Sequence, residues 1–311
     1  MGAVPAELLS PLALGLLGLC IGSFLNVVIH RLPLMLERQW WAEVAQHLAD
    51  AQSWRRTLGL APDAALPEGR IEHAVAIEQA VEALPHLSVV RPRSRCPSCG
   101  HQITWYENLP VLGWIGLRGR CSACGTRIGL RYPLVELATG ALFAAVAWRF
   151  GPTPVALVWC AFAATLVALA MIDWDTTLLP DSLTLPLLWG GLVAAALGWT
   201  LPLSASIWGA VAGYVSLWTV YQLFKLATGK EGMGHGDFKL LAALGAWLGW
   251  PMLVPIILAA SALGAVVGIA MKFSGSLREG RYVPFGPFLA GAGIVVMLAG
   301  AERVLGWLGW T

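Results

Sequence analysis

The chain has 311 residues, 57% of them hydrophobic and 12% charged, with 16 Trp and a formal net charge of +2. Its mean hydropathy of +0.68 is too high for one soluble globule of this length, which excludes the ordinary cytosolic enzyme classes and predicts a multi-spanning membrane protein.

The first apolar run, Leu8 to Ile29, has no Lys or Arg before it and no small-residue cleavage site after it. It reads as a retained first span and not as a removable signal. Residues 31–131 differ in kind, being polar and holding 12 of the 20 Lys and Arg residues. From Tyr132 onward spans are predicted near 133–150, 153–172, 182–200, 203–224 and 285–302. Between 238 and 272 two short tilted helices or a re-entrant hairpin are expected, broken at Gly249-Trp250-Pro251. The fold class is therefore all-α and polytopic, about eight transmembrane helices with a zinc-binding insert after the first. The division is 1–30, 31–131 and 132–311.

Lys and Arg accumulate in cytoplasmic segments, so 31–131 is placed in the cytoplasm and the N-terminus outside. Counting crossings puts 173–181, Lys225–Lys239 and Lys272–Arg281 on the cytoplasmic side as well. Trp148, Trp159, Trp174, Trp199, Trp208, Trp247, Trp250 and Trp307 fall near span ends, where an aromatic belt accounts for them.

Within the insert, Trp40, Val44, Leu48, Ala51 and Leu58 repeat at helical spacing, as do Ile71, Val75, Val81 and Leu84. Two amphipathic helices, over 40–58 and 71–84, are predicted. Cys96-Pro97-Ser98-Cys99-Gly100 and Cys121-Ser122-Ala123-Cys124-Gly125 form two CxxC knuckles, which can present four thiolates to a structural Zn²⁺. A pair of disulfides is the alternative, disfavoured by a reducing compartment. Cys20 and Cys160, inside spans, read as small buried residues.

Four acidic residues lie where apolar runs meet polar edges: Asp173, Asp175, Asp181 and Asp237. Asp181 and Asp237 are each well placed as helix N-caps, and Asp175 as a solvated loop residue. Asp173 is different, because a carboxylate at a helix C-terminus opposes the dipole and needs a reason to be there. Gly234 and Gly236, beside Asp237, let backbone or substrate come close. Two carboxylates sharing one proton can hydrolyse an amide, one as general base and one as general acid. The opposed helix ends would place that proton on Asp173. The chain has no HExxH, GxSxG or Walker-type loop to offer another device. Two rivals stay open at this point. One is a transporter relaying protons or cations through Asp173 and Asp237, the other a metal-dependent transfer enzyme with Asp173-Trp174-Asp175 as its metal site.

A run of ordered motifs goes further. Gly22-Ser23-Phe24-Leu25-Asn26 ends the first span, and Trp105-Tyr106-Glu107-Asn108-Leu109-Pro110 lies between the CxxC pairs. Arg131-Tyr132-Pro133-Leu134-Val135-Glu136, Gly234-His235-Gly236-Asp237-Phe238-Lys239 and Pro284-Phe285-Gly286-Pro287 follow. In these the chain resembles the type IV prepilin peptidases, bifunctional leader peptidases and N-methyltransferases of the bacterial inner membrane. The resemblance implies cleavage of the basic leader of type IV prepilins and type II secretion pseudopilins at the cytoplasmic membrane face. Methylation of the new N-terminus with S-adenosylmethionine would follow. It implies Asp173 and Asp237 as the catalytic pair, the latter in a GxGD motif, and Cys96, Cys99, Cys121 and Cys124 as zinc ligands. For the methyl donor the candidates are Glu107, Asn108, Gly119 and Arg120. The expected partners are the pilin-type substrates and the lipid bilayer, with no nucleic acid.

Overall fold

The computed structural model describes residues 6–275 and 283–310, so the Lys272–Arg281 segment lies partly outside the described residues. Among the described residues there is no β-strand, only two isolated bridges, Arg95 with Gln102 and Arg120 with Arg127. The chain divides into two compact units, one from the described parts of 1–29 and 104–311 and the other from 30–103.

The first helix, α1 (Pro11–Ala49), runs 39 residues, well past the predicted span. Pro33 does not stop it, and Leu34, Met35 and Leu36 carry it into the polar stretch. The predicted helix over 40–58 is instead cut at Asp50, whose Oδ1 accepts the Gln52 amide at 2.9 Å and caps α2 (Ala51–Leu58). A short polar side chain satisfying a first-turn amide is a stronger local instruction than the apolar repeat running through it. The second amphipathic helix forms as α3 (Arg70–Glu82). Arg70 Nη1 donates to the Leu48 and Ala49 carbonyls at 3.0 and 2.7 Å, closing the C-terminal end of α1. Arg31 and Arg38 donate to Ser88 O and Pro85 O.

In the other unit a single turn, α4 (Leu112–Gly116), precedes α5 (Arg131–Phe150), α6 (Pro154–Thr176), α7 (Asp181–Ala196) and α8 (Leu203–Thr228). These are followed by α9 (His235–Leu248), α10 (Leu253–Phe273), α11 (Gly286–Ala299) and α12 (Ala301–Trp307). Five helices are long and apolar enough to span a membrane, α1, α5, α6, α8 and α10, and six if α11 and α12, bent by 106° at Gly300, count as one. With the shorter α7 and α9 these make the expected set of eight apolar elements, in a multi-pass membrane protein. The 238–272 region is two helices, separated at Gly249 with φ +85.

The core is α9. Phe238, Leu240, Leu241, Ala243, Leu244 and Ala246 are fully buried. Glycine sets how close its neighbours come: a Cβ on Gly209 of α8 would overlap the Gly245 carbonyl, and one on Gly213 would meet the Leu241 carbonyl. Ser206 Oγ donates to Ala246 O and Trp247 Nε1 to Leu187 O, both at 2.7 Å. Trp247 and Trp159, expected in the aromatic belt, are buried and packed with Phe150 and Phe162. Both indoles face inward because the short α9 is enclosed and its end falls among other helices. Trp148 and Trp307 stay exposed, as a belt requires. Cys160 is buried, whereas Cys20 lies on the outer face of α1.

Candidate active site

Asp173 stands in the last turn of α6 and Asp237 in the first turn of α9, at 5% and 8% exposure. The helix carrying Asp173 ends on Thr177, in the left-handed region at φ 55, whose amide donates to Asp173 O at 2.8 Å. That turn sends Leu178-Leu179-Pro180 back toward the bundle. Leu179 then fills the space left by two missing side chains: a Cβ on Gly236 would lie 2.7 Å from Leu179 Cβ, and one on Gly286 3.2 Å from its Cδ1. The need for glycine at 236 is thus a packing need that seats α9 beside the end of α6. Gly234 is the residue before α9, and a Cβ there would only touch Asp237 Oδ2, at 3.9 Å.

The two carboxylates are not equivalent. The Gly286 amide, at the N-terminal end of α11, donates to Asp173 Oδ2 at 2.9 Å in a buried bond. Asp237 Oδ1 is buried with no hydrogen-bond partner. An amide donor at a helix N-terminus favours a charged carboxylate, and a buried oxygen without a donor favours a neutral one. The opposed helix ends of α6 and α9 led to the opposite division. What they omit is a third helix, α11, arriving from more than a hundred residues away.

The other two acidic residues act differently from expectation. Asp181 does not cap α7; Pro180 holds the cap position, and Asp181 is ion-paired with Lys239 of α9, Nζ to Oδ1 at 2.7 Å. Asp175 is in the last turn of α6 and not in a loop, and accepts from Arg131 Nη1 of α5 at 2.9 Å. Asp237 is not an N-cap either, since Gly234 is. The pairs Arg131 with Asp175 and Lys239 with Asp181 therefore tie α5 to α6 and α9 to α7 around the two buried acids. Both carboxylate oxygens of Asp175 accept from Arg131 and Asp173 Oδ2 accepts from Gly286, so the DxD pair is engaged by donors of the protein itself. His235 packs its ring with Tyr221 and Phe238.

Among the described residues, the one group of three or more ligand-type side chains drawn together is the cysteine quartet. The sulfurs of Cys96, Cys99, Cys121 and Cys124 all lie within 4.8 Å of one another. Tetrahedral Zn–S bonds of about 2.3 Å set sulfurs about 3.8 Å apart, so the quartet fits the ion. Its two knuckles are built alike. The Gly100 amide donates to Cys96 O and the Gly125 amide to Cys121 O, both at 2.9 Å, with φ +73 and +72 at the glycines. That conformation is what a glycine after each pair supplies.

Of the residues considered for S-adenosylmethionine, Glu107 and Gly119 are engaged by the fold itself. Glu107 Oε2 accepts from the Thr104 amide and hydroxyl at 2.7 and 2.8 Å, and Oε1 accepts from Ser122 Oγ. Its carboxylate braces the loop onto the second knuckle. Gly119 is buried at φ +65 with the Trp114 ring where a Cβ would go, and Asn108 and Arg120 are exposed.

Comparison with known proteins gives the family. Residues 16–150 match the Bacterial Peptidase A24 N-terminal domain and residues 160–269 match the Type IV leader peptidase family. The prepilin leader peptidase/N-methyltransferase of Pseudomonas aeruginosa is 48% identical over 287 residues, covering 92% of this chain and 89% of its own. The protein of the same name from Stutzerimonas stutzeri is 46% identical over 310 residues, 98% of both chains. That from Aeromonas hydrophila is 48% identical over 292 residues, 94% of this chain and 91% of its own. No solved structure matches. Similarity of this degree along almost the whole length, with both family domains in order, makes the chain a member of the type IV prepilin leader peptidase/N-methyltransferase family.

Proposed function

We propose that the protein cuts the basic leader from type IV prepilins and type II secretion pseudopilins through Asp173 and Asp237, then methylates the new N-terminus with S-adenosylmethionine. The observation that carries the peptidase reading is the asymmetric pair of buried acids, one oxygen held by the Gly286 amide and another with no partner. Asp173, its Oδ2 positioned by that amide, takes a proton from the attacking water. Asp237 carries the shared proton and gives it up as the scissile C–N bond breaks and the leaving nitrogen becomes an amine. Atoms balance with one water consumed, and the acids end with the proton count they began with. The transporter reading has no observation in its favour.

The quartet at Cys96, Cys99, Cys121 and Cys124 would hold a structural Zn²⁺, which supplies cross-linking and no step of hydrolysis. The charge asymmetry of the sequence supports the orientation in the inner membrane, with 31–131 and the acids on the cytoplasmic side and the N-terminus periplasmic. The domain division at 30 and 131 rests on the same asymmetry.

A synthetic prepilin peptide spanning leader and apolar segment tests the reading. Purified wild type should cleave it, and Asp173→Asn and Asp237→Asn should each lose at least about a thousandfold in rate, as removal of an essential acid or base does. Substantial turnover by either variant ends the dyad. Mass spectrometry of the same product reports methylation separately.

A further inference from the structure

The insert predicted to be polar contains an apolar run of nine residues, Leu109-Pro110-Val111-Leu112-Gly113-Trp114-Ile115-Gly116-Leu117, with no ionisable side chain. Its one polar side-chain group, Trp114 Nε1, donates to Ile128 O at 3.1 Å. The segment nevertheless turns its large side chains outward: Leu112 is 67% exposed and Ile115 58%, with Leu109 and the preceding Trp105 and Tyr106 exposed as well. In water this would be a costly surface.

Two bonds fix where the surface lies. The Val111 amide donates to Glu136 Oε2 at 2.7 Å, and Glu136 is a buried carboxylate that the proposed hydrolysis does not use. Glu136 stands five residues into α5 from Arg131, about 7.5 Å along the axis. Arg131, paired with Asp175, marks the polar edge of the bundle. Val111 holds φ 61 and ψ −49, a conformation a β-branched residue rarely takes, so the bond to Glu136 fixes a backbone that would not adopt this turn unaided. At its other side α4 rests against Ile128 through Trp114, level with the start of α5. The segment therefore lies across the end of α5 with Val111 below the polar edge. The neighbouring outward residues of α5, Leu134 and Leu137, are exposed on a span that faces lipid.

From this we propose that residues 105–116 are a membrane wedge. Leu109, Leu112 and Ile115 enter the acyl chains of the bilayer leaflet beside α5, Trp105 and Tyr106 sit among the headgroups, and Glu136 is the anchor that sets the depth. Because Glu107 of this segment braces Ser122 in the second cysteine knuckle, the wedge fixes that knuckle against the membrane surface. The inference is independent of the aspartyl dyad.

The test places an environment-sensitive fluorescent amino acid in the full chain in liposomes, as Leu112→dansylalanine, Ile115→dansylalanine and, as a control on an exposed loop, Asp63→dansylalanine. Quenching by lipids carrying a nitroxide on the acyl chain should exceed quenching by aqueous iodide several-fold at 112 and 115, with the order reversed at 63. Dominant iodide quenching at 112 and 115 overturns the proposal. So does quenching there only by a nitroxide-labelled prepilin segment, which would assign the surface to substrate. Adding Glu136→Leu should move the 112 signal toward iodide; an unchanged signal removes the anchor.

Discussion

The two acids at the ends of α6 and α9 and the acid between the cysteine knuckles show what burial does to a carboxylate. Asp173 and Asp237 are enclosed by helices and have between them one backbone donor and one bare oxygen. Glu107 has three donors from its own loop and a neighbouring turn. The first arrangement leaves acceptor capacity unspent where water and an amide can use it, and the second spends it on holding a loop. An acidic residue beside a motif is informative about chemistry only once its partners are counted.

The largest effect that would break this contrast comes at Gly286. A Cβ there would lie 2.5 Å from Asp173 Oδ2, so Gly286→Ala must displace the carboxylate from its amide. Cleavage should fall about a hundredfold in kcat, the usual loss of one preorganised donor, with KM little changed. A variant that cleaves at the wild-type rate would mean the amide does nothing for the dyad. Removing metal should sharpen the other side. Dialysis against a strong chelator, or Cys96→Ser with Cys121→Ser, should lower the melting temperature by several degrees, while the protein that remains folded still cleaves. Loss of cleavage with no loss of folding would bring the quartet into the reaction. The smallest effect is expected at Lys239→Met. Its pair with Asp181 is partly exposed, with side-chain exposures of 31% and 54%, and such pairs contribute at most about 1 kcal/mol. Cleavage should stay within about fivefold of wild type, and a much larger loss would make the pair part of the acid–base machinery.

Much of this was readable from residue order. Spans, the quartet and the two buried acids at helix ends follow from hydropathy, spacing and position. What could not be read was anything that depends on which helix meets which. Gly286 reaches Asp173 across 113 residues, and a motif of Pro, Phe, Gly and Pro says only that a turn precedes a helix. Asp181 has the right neighbours for a cap, yet Lys239 takes it. Trp159 and Trp247 read as belt residues because a helix apolar on every side looks alike whether lipid or protein surrounds it. The apolar run at 109–117 is masked in a block whose average is basic. Averages hide a segment of nine residues.

A helix of 14 residues, as α9 is, extends about 21 Å, against a hydrocarbon layer of about 30 Å. A span facing lipid would answer such a mismatch by tilting or by thinning the bilayer around it. With its side chains enclosed from Phe238 to Trp247 apart from Lys239, α9 has no such obligation. The depth of Asp237 is set by the helices packed around α9. The position of the Asp237 carboxylate is in this sense a dimension of the protein's own packing.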